Sequence, residues 1–440
     1  MRNRAVWGGL GLKGGGGGGS VGDVMSEREI TFSTTIGPTH PAFKEPIQLS
    51  FELQGEKIVK ADFVPGQAHR GVEWMGMRRN PIQILYLAER ICGICGVTHA
   101  LSFARAVEQI AGITVPKRAH YVRSIACEWE RIHSHLLWAG VAAHELGFDS
   151  LFYTAWQARE KVLDLMEDFT GSRVHYSIIS IGGVRRDVDA RIRAEMEEAL
   201  RFYEGVFDEL RRCFLDDSTV RLRCEGTGVL TAQEALELGA VGPTARASGI
   251  PWDVRQDHPY AAYRDFEVKA VTPDQFTGRV RGDVYDRIVV RVYEILQSVQ
   301  LLRAMLPAMP DGPVDPGIKP AVLLNRLKKA EGEAVGMHEA PRGEVAHYVR
   351  MAGAEAPLSW KVKASSYSNY MSWVPMLVGE QVADIPIIAA SIDPCISCTD
   401  RVLGVPAGGG AGRTWTKAQL TAMSAEKTRR IQESLRRAGA

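Results

Sequence analysis

The sequence has no long apolar run, almost no net charge and few cysteines. No stretch of about 18 consecutive apolar residues occurs among its 440 residues, so no segment is predicted to cross a membrane. The net charge of +1 gives no general attraction to nucleic acid, and we expect no nucleic-acid partner. An apolar content of 45% is ordinary for a globular protein with a large core. Any attachment to a membrane must therefore come from partner subunits.

The two ends of the chain differ from its body. Residues 1–24 include six consecutive glycines and lack the apolar segment of a secretory signal, so we expect a disordered extension. We favour Met25 as the true initiator. Residues 402–440 carry a net charge of +5, whereas residues 25–401 carry −6. The folded body is thus predicted to be separate from both ends.

The hydrophobic pattern predicts an α+β fold that is mostly helical. Alternating apolar and polar residues at 29–34 and 47–64, with Gly55 at a turn, predict a small N-terminal antiparallel sheet. Pro81 begins a predicted helix that ends near a pair of cysteines. Short strands are predicted at 345–350 and 384–390, and further helices at 99–111, 117–146, 150–171, 188–213, 231–239, 282–306 and 416–437.

Four of the seven cysteines form two Cys-x-x-Cys pairs. Cys92 and Cys95 lie in R-I-C-G-I-C-G-V-T-H, and Cys395 and Cys398 lie in D-P-C-I-S-C-T-D-R. Two cysteines three residues apart can both reach one metal ion, and thiolates suit soft or borderline metals. Without an export signal we expect a reducing compartment, where disulfides are disfavoured. The single cysteines are interpreted as buried inert thiols: Cys127, Cys213 and Cys224.

Two simpler explanations of the cysteine pairs stay open. A structural zinc site is the first, but such sites mostly join nearby segments, whereas these pairs are about 300 residues apart in a chain with its own core. A thioredoxin-type redox pair is the second, but it needs a single Cys-x-x-Cys motif on a βαβ unit. A zinc-stapled interaction protein therefore remains an alternative to an enzyme.

The two cysteine motifs together resemble those of the large subunit of NiFe-hydrogenases. The likeness is to the energy-converting, membrane-bound group, which is related to the 49 kDa-type quinone-module subunit of complex I. The resemblance covers residues 29–401. It implies that these residues form the catalytic domain, with the mostly helical α+β fold of the group. Further segments resemble the group in order along the chain: G-P-T-H-P (37–41), H-R-G-V-E (69–73), I-G-G-V-R-R-D (181–187), V-G-P-T-A-R-A-S-G (241–249), G-D-V-Y-D-R (282–287) and E-A-P-R-G-E (339–344).

The resemblance implies a Ni–Fe(CO)(CN)₂ centre that catalyses 2H⁺ + 2e⁻ ⇌ H₂ by a heterolytic reaction. Cys92 and Cys395 would be terminal nickel ligands. Cys95 and Cys398 would bridge nickel to an iron that carries the CO and cyanide ligands. Magnesium is doubtful, because Arg401 stands where uptake members have a histidine that helps to bind that ion with a glutamate like Glu73, and one cation does not ligate another.

Other site residues are also implied by the resemblance. Arg342 corresponds to the arginine beside the open metal positions, with Asp393 as its partner. Ser366 corresponds to a hydroxyl that hydrogen-bonds a cyanide, although Ser365 replaces an expected proline. Glu45 corresponds to a proton-shuttling glutamate, and its ordinary alternative is an exposed residue before a strand. Three histidines are secondary candidates, of which the last would orient the site: His40, His69 and His99.

The resemblance also implies partners. The chain has no further cluster motif, so electrons would come from a small subunit that carries a 4Fe–4S cluster, with ferredoxin as the donor. Antiporter-like membrane subunits would couple the reaction to ion translocation at the cytoplasmic side of the cell membrane. A maturation protease removes residues after the late motif in many relatives, and here we slightly favour retention of residues 402–440. The nearest alternative is a complex I-like quinone-site subunit, which lacks both cysteine pairs.

Overall fold

The structure is a computed structural model that describes residues 31–40, 43, 45–399 and 417–437. The predicted glycine-rich extension, Met25, Arg401 and the linker that follows it up to residue 416 lie outside these residues. Within the described part of the chain, no helix is long and apolar enough to cross a membrane.

The strands of the described residues form small antiparallel sheets. The first sheet has the order β1–β2–β3, the second pairs β4 with β5, and the third has the order β6–β7–β8. Thr34 of the first sheet pairs with Phe51, which pairs in turn with Ala61. The strands are β1 (Thr31–Ile36), β2 (Gln48–Gln54), β3 (Lys57–Val64), β4 (Ile179–Ser180), β5 (Gly183–Val184), β6 (Glu331–Ala340), β7 (Gly343–Ala352) and β8 (Ser359–Lys363).

Helices make up most of the described chain. The short ones include a π-helical turn, Arg212–Asp216, and the 3₁₀ turns Ala261–Asp265, Tyr370–Ser372 and Val382–Asp384. The α-helices are α1 (Val72–Gly76), α2 (Pro81–Glu89), α3 (Gly96–Ala111), α4 (Lys117–Glu145), α5 (Asp149–Thr170), α6 (Ala190–Arg211), α7 (Ser218–Cys224), α8 (Ala232–Leu238), α9 (Gly242–Ala247), α10 (Val254–Asp257), α11 (Asp274–Thr277), α12 (Val284–Ala308), α13 (Pro320–Lys328), α14 (Ser365–Asn369), α15 (Trp373–Leu377), α16 (Ile385–Ser391) and α17 (Lys417–Arg437).

The predicted N-terminal sheet and the mostly helical α+β fold are confirmed. Leu49, Phe51 and Leu53 alternate with partly exposed residues on β2 and are almost fully buried, which is the burial pattern of a strand with one face on the core. Gly55 adopts the left-handed conformation in the turn before β3. The long predicted helices are all present, with ends that differ by a few residues.

The predicted strand at 384–390 is wrong, because this segment forms α16. Its apolar run Ile-Pro-Ile-Ile-Ala-Ala-Ser has no alternation, so periodicity cannot distinguish a buried strand from a buried helix. Pro386 lies in the first turn, where a helix tolerates the missing N–H. The correction matters because α16 leads directly into the second cysteine pair.

Helix α4 is the centre of the molecule, and it positions the neighbouring elements around the cysteines. It packs against α5, α12 and α16, while α3 packs against the β6–β7 hairpin. The fold therefore brings the loop before α3 and the loop after α16 to one place. The C-terminal helix predicted at 416–437 is present as α17, and its described side chains are largely exposed.

Candidate metal centre

The first cysteine pair lies in the connection between α2 and α3. Helix α2 begins with a capping box from Asn80 and has Pro81 in its first turn. Cys95 is the residue that precedes α3. Gly96 allows a close approach there, since a Cβ atom on it would lie 2.9 Å from Cγ of Glu89. Helix α2 therefore ends before the two thiols, and α3 begins directly after them.

The second pair follows α16 in a segment that is fixed by side-chain contacts. Asp393 has a φ of 53°, a left-handed conformation that non-glycine residues rarely adopt. The hydroxyl of Ser366 accepts a hydrogen bond of 2.9 Å from the backbone N–H of Cys395. Arg70 joins the two cysteine loops, because one of its nitrogens donates to the carbonyl oxygens of Ile91 at 2.6 Å and Ser397 at 2.8 Å.

The four sulfur atoms of the two pairs converge. The Sγ atoms of Cys92 and Cys395 are 3.1 Å apart, and those of Cys95 and Cys398 are 3.2 Å apart. All four ligand atoms lie within 4.8 Å of one another, and each residue is buried. We call these four residues the cysteine cluster. Residues about 300 positions apart in sequence thus form a single site with the donor set of a thiolate metal centre.

The electrostatics of the cysteine cluster also fit a metal. Hydrogen bonds from the other thiols, first that of Cys395, lower the pKa of Cys92 well below its usual value. Burial, together with the neighbouring cysteines, raises the pKa of Cys398 well above its usual value. Four thiolates at these distances would repel one another strongly in a buried site. A bound cation offsets that repulsion, so the donor set fits a soft or borderline metal ion.

Arg342 and Asp393 lie together next to the cluster. Arg342 is in the turn between β6 and β7, and it donates to the Asp393 carboxylate at 2.9 Å and to the Asp393 carbonyl oxygen at 2.8 Å. A third nitrogen donates to the hydroxyl of Ser134 at 3.1 Å. Both members of the ion pair are buried. The guanidinium is therefore held in one orientation.

Glu45 contacts the loop between the late cysteines. One carboxylate oxygen accepts the backbone N–H of Ser397 at 2.7 Å, and the other accepts the Ser397 hydroxyl. Glu45 is half-buried, so it is not the exposed residue before a strand that was its ordinary alternative. These hydrogen bonds go to Ser397, which lies between Cys395 and Cys398 in sequence.

The candidate histidines differ in their surroundings. The Nε2 atom of His99 is 3.3 Å from Sγ of Cys398, and burial lowers the pKa of His99 to about 4. His40 and His69 are both exposed, and His40 makes an edge contact with Phe43. Only His99 among the three is thus fully enclosed beside the cluster.

Glu73, the residue that the resemblance linked to magnesium, is held by residues of β8. Its carboxylate accepts hydrogen bonds from Nζ of Lys361 at 2.7 Å and from the backbone N–H of Val362 at 3.0 Å. The lysine neutralises its charge.

Sequence reasoning missed several residues that shape the site. His347 lies 3.0 Å from His99, and the indole N–H of Trp360 donates to His347 at 3.2 Å. Glu130 of α4 accepts hydrogen bonds from the backbone N–H groups of Val97 at 2.7 Å and Thr98, in the first turn of α3. The alternating pattern of β7 places His347 on the buried face of the strand. This alternation was the sequence signal that could have identified His347 as a site residue.

A second buried polar assembly lies among α4, α9, α10, α12 and β6. Arg246 pairs with Glu294 at 2.6 Å and with Glu339 at 2.8 Å, and Arg255 pairs with Asp253 at 2.8 Å. Each of the seven side chains is at most 1% exposed. We call the set the buried ion network: Glu128, Arg131, Arg246, Asp253, Arg255, Glu294 and Glu339.

Two family models match the chain, over different residues. The model for the 49 Kd subunit of respiratory-chain NADH dehydrogenase matches residues 145–401. The model for nickel-dependent hydrogenases matches residues 70–139, which contain the first cysteine pair.

Individual relatives give the same result. The chain is 43% identical to the membrane-bound hydrogenase subunit alpha of Pyrococcus furiosus, over 94% of this chain and 97% of that one. It is 38% identical to the carbon monoxide-induced hydrogenase of Rhodospirillum rubrum, over 84% and 99% of the two chains. A chain from the archaeal membrane-bound sulfane sulfur reductase, a respiratory membrane complex, superposes with a TM-score of 0.78 and 29% identity, over 85% of this chain and 100% of that one. The chain therefore belongs to the family of nickel-dependent, membrane-bound hydrogenase subunits that is related to the 49 kDa subunit of respiratory NADH dehydrogenase.

Proposed function

We propose that this chain is the catalytic subunit of an energy-converting, membrane-associated NiFe-hydrogenase that interconverts H₂ with protons and electrons. The observation that carries the proposal is the convergence of Cys92, Cys95, Cys395 and Cys398 in one buried cluster. A subunit that only binds a quinone or transmits conformational change has no need of four thiols within 4.8 Å.

The cysteine cluster would hold the metals. Cys92 and Cys395 would bind nickel alone, while Cys95 and Cys398 would bind both nickel and iron. The bound nickel–iron pair, with CO and cyanide on the iron, supplies the redox chemistry that makes or cleaves H₂. We leave magnesium out of the proposed centre, because Arg401 stands in place of a histidine ligand and Glu73 is paired with Lys361.

Arg342 and Ser366 would orient the centre and its surroundings. The Asp393 contacts hold the Arg342 guanidinium rigid at the edge of the cluster, so it can polarise a small molecule without reorganisation. Ser366 accepts the backbone N–H of Cys395, which leaves its hydroxyl proton to donate to a cyanide.

Glu45 would move the proton. Its carboxylate is bound to the Ser397 hydroxyl, so a proton released at a late cysteine can pass to a Glu45 oxygen directly or through that hydroxyl. His40 and His69 are exposed and are candidates for the outer part of the path.

The partners are proposed from the same family relationship. Electrons would come from a small subunit with a 4Fe–4S cluster, supplied by ferredoxin, and antiporter-like membrane subunits would couple the reaction to ion movement. The chain would sit at the cytoplasmic face of the membrane, held by these partners. Residues 29–401 would form the catalytic domain, with residues 402–440 slightly favoured as retained over removal by a protease.

The second candidate is a quinone-site subunit of a complex I-like enzyme. It is favoured by the larger of the two family matches, to the 49 Kd subunit over residues 145–401. It gives no role to the cysteine cluster, and for that reason we prefer the hydrogenase.

Isotope exchange in the purified complex tests the proposal. The complex that contains this chain, incubated with D₂ in H₂O, should release HD and H₂, since heterolytic cleavage places one deuterium where solvent protons replace it. A nickel-loaded complex that reduces quinone but produces no HD would refute the hydrogenase and establish the second candidate.

A further inference from the structure

We propose that Trp360 and His347 are positioning residues that fix the imidazole of His99 in the tautomer whose Nε2–H donates to Sγ of Cys398. The assignment deepens the proposed function at the same site. The assignment of the tautomer depends only on this chain, whereas its expected effect on the infrared bands rests on the proposed nickel–iron centre.

The argument begins at Trp360, whose indole N–H can only donate. Its nitrogen is 3.2 Å from Nδ1 of His347, so Nδ1 must present a lone pair and His347 carries its proton on Nε2. That Nε2 is 3.0 Å from Nδ1 of His99, which must accept in turn. The proton of His99 is then on Nε2, which lies 3.3 Å from Sγ of Cys398. A single donor-only group thus sets the direction of three consecutive hydrogen bonds.

The indole cannot easily leave this position. Trp360 is fully buried on β8, and the ring of Phe103 meets its edge at a centroid distance of 5.6 Å. On the other side it lies against Gly76, where a Cβ atom would come within 2.2 Å of the indole ring. Glycine at position 76 therefore makes room for the indole, and close packing keeps the N–H on His347.

The fixed direction makes the sulfur atoms unequal. Cys398 receives an imidazole N–H, and Cys92 receives the backbone N–H of Ile94 at 3.3 Å. A hydrogen bond from N–H withdraws electron density from a thiolate and disfavours its protonation. The imidazole N–H thus favours the thiolate form of Cys398 and opposes the effect of burial on its pKa.

Nitrogen NMR of the full-length chain with ¹⁵N-labelled histidine tests the tautomer directly, because protonated and unprotonated ring nitrogens have well-separated shifts. His99 should show a protonated Nε2 in the wild-type protein. Trp360→Phe and His347→Leu should give a mixture of tautomers, whereas His347→Gln keeps an acceptor for Trp360 and a donor for His99 and should restore the wild-type pattern. Trp373→Phe is the matched control, because its buried indole donates to a backbone carbonyl, that of Ala389. A wild-type His99 protonated on Nδ1, or an unchanged spectrum in Trp360→Phe, would overturn the assignment.

Infrared spectra of the metal-loaded complex separate this inference from the proposed function. Loss of the hydrogen bond makes the Cys398 thiolate a stronger donor to iron, so the CO band should shift to lower wavenumber in Trp360→Phe and His347→Leu but not in Trp373→Phe. An unshifted band in both variants would refute the influence on the metals. NMR results as expected in a protein without CO or cyanide bands would support the tautomer assignment and refute the nickel–iron centre.

Discussion

The cysteine cluster and the buried ion network are both buried and polar, but they differ in how their charges are compensated. In the ion network three arginines face four carboxylates, and burial raises the pKa of Glu339 to about 7, so the network is close to neutral as it stands. In the cysteine cluster the main partners of each thiol are other thiols, and the neighbouring Arg342 is already paired with Asp393.

The difference shows which of the two assemblies is built to receive a ligand. A buried charge network whose members satisfy one another contributes to the fold, and removing one member leaves its partners unpaired. A cluster of buried thiols releases most of its protons when a cation binds, because the cation offsets the repulsion among the thiolates. The ion network should therefore govern stability, and the cysteine cluster should govern activity.

The largest expected effect is from Cys395→Ser. A hydroxyl is a far poorer ligand for a soft metal, so hydrogen turnover should be lost and bound nickel should fall, while the unloaded chain keeps its fold. Turnover and nickel content measured on the same preparation check this. Cys213→Ser is the control, since Cys213 lies outside the cluster and should leave both unchanged. A fully active, nickel-loaded Cys395→Ser protein would contradict the assignment.

Glu45→Gln should lower turnover by about 10²–10⁴-fold with nickel content intact, because the amide keeps the shape but cannot carry a proton. Glu45→Asp should retain part of the activity. The readout is the rate of H₂ evolution per bound nickel. A normal rate in Glu45→Gln would place the shuttle elsewhere, with Glu73 as the next candidate.

Arg246→Met tests the other side of the comparison. It leaves Glu294 and Glu339 buried without their shared cation, which should cost about 3–5 kcal/mol of unfolding free energy. Arg193→Met is the control, since Arg193 pairs with Glu197 on the surface and should cost less than about 0.5 kcal/mol. Denaturant unfolding measures both, and equal losses in the two variants would show that the network does not stabilise the fold.

Glu130 should produce a pH-dependent effect, which within any single pH unit is smaller than the effect of Arg246→Met. Burial raises its pKa from 4.5 in the unfolded chain to about 8, despite hydrogen bonds that favour the carboxylate. The folded state then binds the extra proton between these values, so stability falls as pH rises through that window, by at most about 1.4 kcal/mol per pH unit. Glu130→Gln should add a constant offset and remove this slope. Unfolding measured from pH 4.5 to 8 checks it, and an unchanged slope in the variant would contradict it.

The sequence predicts the cysteine cluster far better than it predicts the buried ion network. The spacing of the cysteines and the helix start at Pro81 are local signals, and they placed the first pair just past the end of a helix. The segment of α16 gave no periodic signal, so its helix was missed.

The ion network lay beyond sequence reasoning for a different reason. Arg131 and Glu128 of α4 are completely buried, although charged residues on a helix usually mark its solvent face. Their partners come from α10 and α12, more than 100 residues away, and no local pattern encodes such pairings. The same holds for Trp360, whose role depends on three residues from separate elements.

Metal analysis combined with infrared spectroscopy of the purified complex tests the central claim most directly. If the cysteine cluster holds a nickel–iron centre, the complex should contain one nickel per copy of this chain, with iron in excess because of the 4Fe–4S cluster of the small subunit. It should also show CO and cyanide bands, which Cys395→Ser should abolish. A complex with zinc in the cysteine cluster and without such bands would contradict the account.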